Sequence, residues 1–229
     1  MIVHTMTAPE MVTEARKDYE ALRRKVEDPL RRMRRESIRN KQEIWQMIPW
    51  RSPKNKNNWL ILLHQGKDVP RIYSMVWYHD GEGRINAVWT THRGLAFHID
   101  RHVIERYGER FNPTANPLER LQSFFLENYF YTVEPVEPEG EVTWKVNIGL
   151  NQGMGLGAWD QATDIVYMRT FINHGQLFQQ QEDAMERMDL ERIMYSLTPG
   201  QRRMIIAMFK RVTKVPEGPA LDWLNSLAA

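Results

Sequence analysis

The stretch RIYSMVWYHDGEGRINAVWTT, Arg71 to Thr91, decides the fold class. Two runs rich in Ile, Val, Trp and Tyr flank Asp-Gly-Glu-Gly. β-Branched and aromatic side chains suit a pleated, half-buried surface. Two such runs joined by a short glycine-bearing break read as a β-hairpin. WLILLH (59–64) precedes the pair and GLAFHI (94–99) follows it, set off by QGKDVP and THRG. Connections this short fit antiparallel neighbours, because parallel strands need a crossover of a dozen or more residues. The spacing therefore predicts an antiparallel meander.

Working outward toward the C-terminus, the chain turns helical from Ile99 to Phe111. NPTANP breaks the pattern, and Asn116 caps a second helix with Pro117 in its first turn and Glu119 three residues after the cap, a capping-box arrangement. VEPVEPEG reads as a loop. EVTWKVNI (141–148), GMGLGAW (153–159) and DIVYMRTFI (164–172) read as three further strands. EDAMERMDLERIMYSL and TPGQRRMIIAMFKRV read as helices, the second capped by Thr198, and PALDWLNSLAA as a short amphipathic tail. The order of helix, strands, helices, strands and helices predicts an α+β fold with antiparallel sheet and a central helix pair.

Toward the N-terminus, residues 1–48 read as a basic helical arm. Met11, Ala15, Tyr19, Leu22, Val26, Leu30 and Met33 recur at three- and four-residue spacing, one narrow apolar stripe. Pro29 is expected to kink or split the helix. Residues 49–58, with two prolines and three asparagines in PWRSPKNKNN, read as a linker. Residues 59–180 then form the core domain, and the C-terminal helices of 181–229 are expected to pack on it.

The chain has 229 residues, 42% hydrophobic and 26% charged, without cysteine. That composition suits a globular core and excludes disulfides, thiol catalysis and thiolate metal sites. It fits a reducing, cytoplasmic setting. No apolar run has the length of a membrane span, and the N-terminus carries no signal-peptide pattern, so no membrane partner is expected. The net charge of +2 indicates no nucleic-acid partner by itself. Its distribution is more informative. Between Arg16 and Lys41 lie eleven Lys/Arg and five Asp/Glu, an excess of six. The densest part, RRMRRESIRNK (31–41), makes Arg31, Arg32, Arg34, Arg35 and Arg39 candidate RNA-backbone contacts. The competing reading is a solvated helix face.

HIDRHVIERYGERF, His98 to Phe111, carries the candidate chemistry. On a helical wheel Val103, Ile104, Tyr107 and Phe111 share one side. His102, Arg106 and Arg110 form an i, i+4, i+8 row on the other. Guanidinium groups bind phosphate oxygens in pairs, and a histidine moves protons near neutral pH, so the row suits phosphate chemistry. It equally suits a wet face on which Arg106 and Arg110 pair with Glu105 and Glu109. His98 and His102 are an i, i+4 pair, but Ile99 stands where a zinc protease has its Glu, and no metal site is expected. GMGLGAW has closely spaced glycines, yet it does not open a helix as a nucleotide loop must. No cofactor is expected, and glycine there marks a bulge or close backbone approach. In DIVYMRTFI, strict alternation places Ile165, Tyr167, Arg169 and Phe171 on one face and Val166, Met168, Thr170 and Ile172 on the other.

The stretch HVIERYGER (His102 to Arg110) with the later TFI (Thr170 to Ile172) is similar to a motif in bacterial, largely Bacteroidetes-type, proteins, over about residues 57–180. Helices bearing His and Arg before a small sheet with a threonine-bearing strand also resemble the metal-independent RNase superfamily of barnase, EndoU, colicin nucleases and RelE-type toxins. That resemblance implies attack of a ribose 2′-hydroxyl on its own phosphate, with His102 as acid or base, Arg106 and Arg110 stabilising the phosphate, and Thr170 donating a hydrogen bond. The chain departs from the family in its extra four-strand meander and in lacking a second acid–base residue on the final strands. Two functions are thus expected: a metal-independent, toxin- or mobile-element-type endoribonuclease, or a non-catalytic intracellular nucleic-acid-binding or adaptor protein.

Overall fold

The computed structural model describes residues 1–66, 69–91 and 94–213. The tail PALDWLNSLAA lies outside them. The chain divides into two compact units, Met1–Gln176 and Leu177–Ala229.

The first unit is an α+β fold built on one nine-stranded sheet. Two helices open it, α1 (Ala8–Arg16) and α2 (Tyr19–Asn40). Strands β1 (Ile44–Arg51), β2 (Asn58–Gln65), β3 (Arg71–His79), β4 (Ile85–Thr90) and β5 (Ala96–Ile99) follow, then α3 (Arg101–Phe111) and α4 (Pro117–Glu127). Strands β6 (Tyr131–Pro138), β7 (Thr143–Leu150), β8 (Gly153–Asp160) and β9 (Ile165–Asn173) complete it. The strand order is β1-β2-β3-β4-β5-β9-β8-β7-β6. Every neighbouring pair is antiparallel except β5 and β9, which run parallel and join the two meanders into one sheet.

Both faces of the central strands are covered. Leu22, Val26 and Met33 of α2, with Met11 and Ala15 of α1, pack with Trp59, Ile61, Leu63, Val76 and Val88. Val103, Ile104 and Tyr107 of α3, with Leu121, Phe124 and Phe125 of α4, pack on the other face with Leu60, Leu62, Trp89, Phe97, Val166 and Phe171. This double burial explains why β2 reads as the unbroken apolar run Trp-Leu-Ile-Leu-Leu; a strand with one wet face would alternate. The Asn116 side chain accepts from the Leu118 and Glu119 amides, and Glu119 reaches back to the Asn116 amide, so the capping box holds.

Four details differ from the sequence reading. Residues 49–58 are not a linker, because β1 runs to Arg51 and a short turn, closed by Ser52 and Asn57, leads into β2. Pro49 is tolerated since β1 is an edge strand. VEPVEPEG is not simply a loop: β6 extends to Pro138, with a register shift between Pro135 and Glu137. An edge strand accommodates prolines and a bulge, and both protect it from pairing with other chains. Pro29 does not split α2, which runs through it; the break falls earlier, around Lys17 and Asp18. Finally, Leu156 pairs with Thr170 while Gly157 pairs with Met168, leaving Arg169 as a bulged extra residue. The strict alternation of β9 fails there, and Phe171 joins Val166 and Met168 in the α3-side core. Gly157 is required opposite this bulge, since a Cβ would lie 2.0 Å from the Tyr167 carbonyl oxygen.

The second unit contains α5 (Gln179–Ser196) and α6 (Pro199–Thr213). The Thr198 hydroxyl accepts from the Gln201 amide at 3.3 Å, capping α6. Met194 and Ile206 pack together with Leu197 beside them. No helix among the described residues is long and apolar enough to cross a membrane.

Candidate nucleic-acid interface

The His/Arg row sits on α3, whose start is fixed by Asp100: its carboxylate accepts from the His102 amide at 2.8 Å. Val103, Ile104 and Tyr107 are buried, which turns His102 and Arg106 outward. Arg106 Nε lies 3.4 Å from His102 Nε2, and its Nη1 donates to Glu109 at 3.2 Å. Both partners of that ion pair are about half exposed, at 46% and 56%, so it contributes little to stability. Arg110 folds back, and its guanidinium donates to the Phe171 carbonyl. Burial, then the neighbouring Arg106, lowers its pKa, while Glu109 opposes the shift.

Thr170 does not join this row. Through its pairing with Leu156 it occupies the sheet face opposite Phe171 and α3. The four residues that the RNase resemblance groups together are therefore divided. His102 and Arg106 touch, Arg110 is engaged by the sheet backbone, and Thr170 is on the far face.

His98 is also separate from the row. It lies on β5, paired with Val88 of the α2-side core. The Tyr78 hydroxyl is 2.8 Å from His98 Nε2, and the Tyr167 ring is 5.8 Å away. Burial, with help from Asp100 and Asp80, pushes the Tyr78 phenol up to about 12. It stays protonated and shares one hydrogen bond with the His98 imidazole. Burial pulls the His98 pKa down, and the Asp100 charge only partly opposes this. The unfolded chain takes up this proton more readily, so stability is full above about pH 6.5 and falls as pH drops below it. Urea unfolding at about pH 7.5 and about pH 5.5 should show that loss, and His98→Gln should flatten it.

The basic residues of α2 are better placed for a ligand. Leu22, Val26, Pro29 and Met33 form its buried stripe. Arg31, Arg35 and Arg39 form an i, i+4, i+8 row on the opposite side, spaced about 6 Å apart along the axis. Arg31, Arg32, Arg34, Arg35 and Arg39 are all exposed. Arg31 reaches Glu27 and Asp28 only at 3.9 and 3.8 Å. Arg39 touches the Asn40 amide at 3.3 Å. Among the described residues, Arg32, Arg34, Arg35 and Arg39 form no ion pair.

A feature beyond sequence reasoning lies at the end of α2. Lys41 takes a left-handed conformation, φ 54°, and turns the chain into β1. The turn leaves a cleft of about 360 Å³ between Arg34, Ile38 and Lys41 on one side and Glu43, Gln65 and Gly66 on the other. Only the pairing of β1 with β2 brings Glu43 and Gln65 together, and the sequence gives no direct signal of it. Among the described residues, no three His, Cys, Asp or Glu are grouped to hold a metal ion. Comparison with protein-family models, curated proteins and solved structures finds no match to this chain.

Proposed function

We propose that this chain is a non-catalytic nucleic-acid-binding protein that holds an RNA backbone along α2. The observation carrying this reading is the set of exposed arginines, Arg31, Arg32, Arg34, Arg35 and Arg39, on a helix anchored by its opposite stripe. Guanidinium groups suit phosphate oxygens, and a row on one rigid helix is ordered before the ligand arrives. Charge is segregated too: an excess of six over residues 16–41 in a chain of net +2 leaves the remainder at minus four. A polyanion is thereby steered to one element.

The endoribonuclease is the second reading, favoured by the contact between His102 and Arg106. Against it stand the Arg106–Glu109 pair and the position of Thr170. One assay separates the two. The protein is incubated with RNAs of varied sequence in EDTA, and gels are read for retardation and for cleavage. Retardation without cleavage, lost in Arg31→Gln/Arg35→Gln/Arg39→Gln, is expected. Cleavage that disappears in His102→Ala would overturn the non-catalytic reading in favour of the enzyme.

A further inference from the structure

We infer that the cleft at the end of α2 receives one unpaired nucleobase, which makes single-stranded RNA the ligand. This rests on the proposed binding along α2 and deepens it.

The cleft's volume of about 360 Å³ falls within the range of small-molecule sites, roughly 300–1,000 Å³. Its lining carries both signs, with Arg34 and Lys41 supplying cations and Glu43 a carboxylate. A nucleotide carries the complementary groups, an anionic phosphate for the cations and a base with hydrogen-bond donors for the carboxylate. A free phosphate would meet Glu43.

The cleft also has surfaces for a base. Ile38 lines it while 70% exposed and so offers an apolar contact surface at its mouth. Gln65, 3% exposed, brings a buried amide to the wall, its Nε2 donating to the Gly66 carbonyl at 2.9 Å. Glu43, otherwise 3.2 Å from His64, can accept from an exocyclic amine. Arg34 and Ile38 are one helical turn apart, beside the Arg31–Arg35–Arg39 row. A strand tracked by that row can turn a base toward the cleft. In a duplex the bases are stacked and paired, and none can enter.

Fluorescence anisotropy tests this with three labelled RNAs of about 12 nucleotides: a mixed-sequence single strand, the same strand as a duplex, and an all-uracil strand lacking exocyclic amines. The protein should bind the mixed strand about tenfold more tightly than the duplex, and Ile38→Ser should remove that difference while leaving duplex affinity unchanged. The all-uracil strand should bind several-fold more weakly than the mixed strand, and equal binding overturns the role given to Glu43. Equal affinity for the mixed strand and the duplex, or a preference that survives in Ile38→Ser, overturns the base cleft. The α2 reading still stands in that case if Arg31→Gln/Arg35→Gln/Arg39→Gln weakens binding to both. Failure of the wild-type protein to bind any of the three overturns both.

Discussion

Replacing Asp18 with alanine should destabilise the first unit by about 3–5 kcal/mol, among the largest effects of any single substitution. Asp18 is 2% exposed between α1 and α2. Its carboxylate accepts from Asn55 Nδ2 at 2.7 Å, Asn57 Nδ2 at 2.8 Å and Trp59 Nε1 at 3.0 Å. Asn57 in turn accepts from the Ile2 amide at 2.7 Å and donates its own amide to Ser52 Oγ at 3.0 Å. Alanine would leave the buried donors of Asn57 and Trp59 without their acceptor. Each such loss costs about 1–3 kcal/mol, more when the lost partner is charged. Asp18→Asn keeps one oxygen for Asn57 and Trp59 and should cost less than half as much. Urea unfolding followed by tryptophan fluorescence checks both variants. A loss below about 1 kcal/mol in the alanine variant would show that the network is not holding α2 to β2.

Phe171→Ala should cost a similar amount, about 3–5 kcal/mol. Phe171 is fully buried and sits edge-on to three rings: Tyr107 at 5.6 Å, Phe111 at 6.1 Å and Phe124 at 6.3 Å. It faces these helices only because the bulge at Arg169 resets the phase of β9. A cavity here would loosen α3 and α4 together, so the loss should appear in equilibrium unfolding and in faster exchange of α3 amides. A cost below about 1.5 kcal/mol would mean that Phe171 does not join the helix pair to the sheet.

That bulge also shows where the sequence stops being sufficient. The runs at 59–64, 71–79, 84–91 and 94–99 became β2 to β5, because glycine-bearing breaks and apolar composition act over a few residues. The α4 capping box is equally local. β1 and β6 were hidden because Pro49, Pro135 and Pro138 are breakers everywhere except on an edge, and edge position is a property of the whole sheet. The parallel pairing of β5 with β9 is likewise non-local, joining residues nearly seventy positions apart. For the candidate site, the wheel of α3 correctly separated Val103, Ile104 and Tyr107 from His102 and Arg106. It could not show that Arg110 would bend back to Phe171, nor that one bulged residue would leave Thr170 on the other face. The exposure of the α2 arginines followed from their place opposite a regular apolar stripe. The cleft beside them depends on the turn at Lys41 and on strand pairing, and no local pattern encodes either.

The central claim is that phosphates are held by the arginine row of α2. The most direct test is the salt dependence of RNA affinity, compared between the wild-type chain and Arg31→Gln/Arg35→Gln/Arg39→Gln. All three side chains are exposed, so the substitutions should leave the fold intact, and circular dichroism checks this. For single strands each phosphate contact contributes about 0.7 to the slope of log affinity against log salt, so losing three should flatten it by about 2. A variant with wild-type affinity and an unchanged slope would contradict the account.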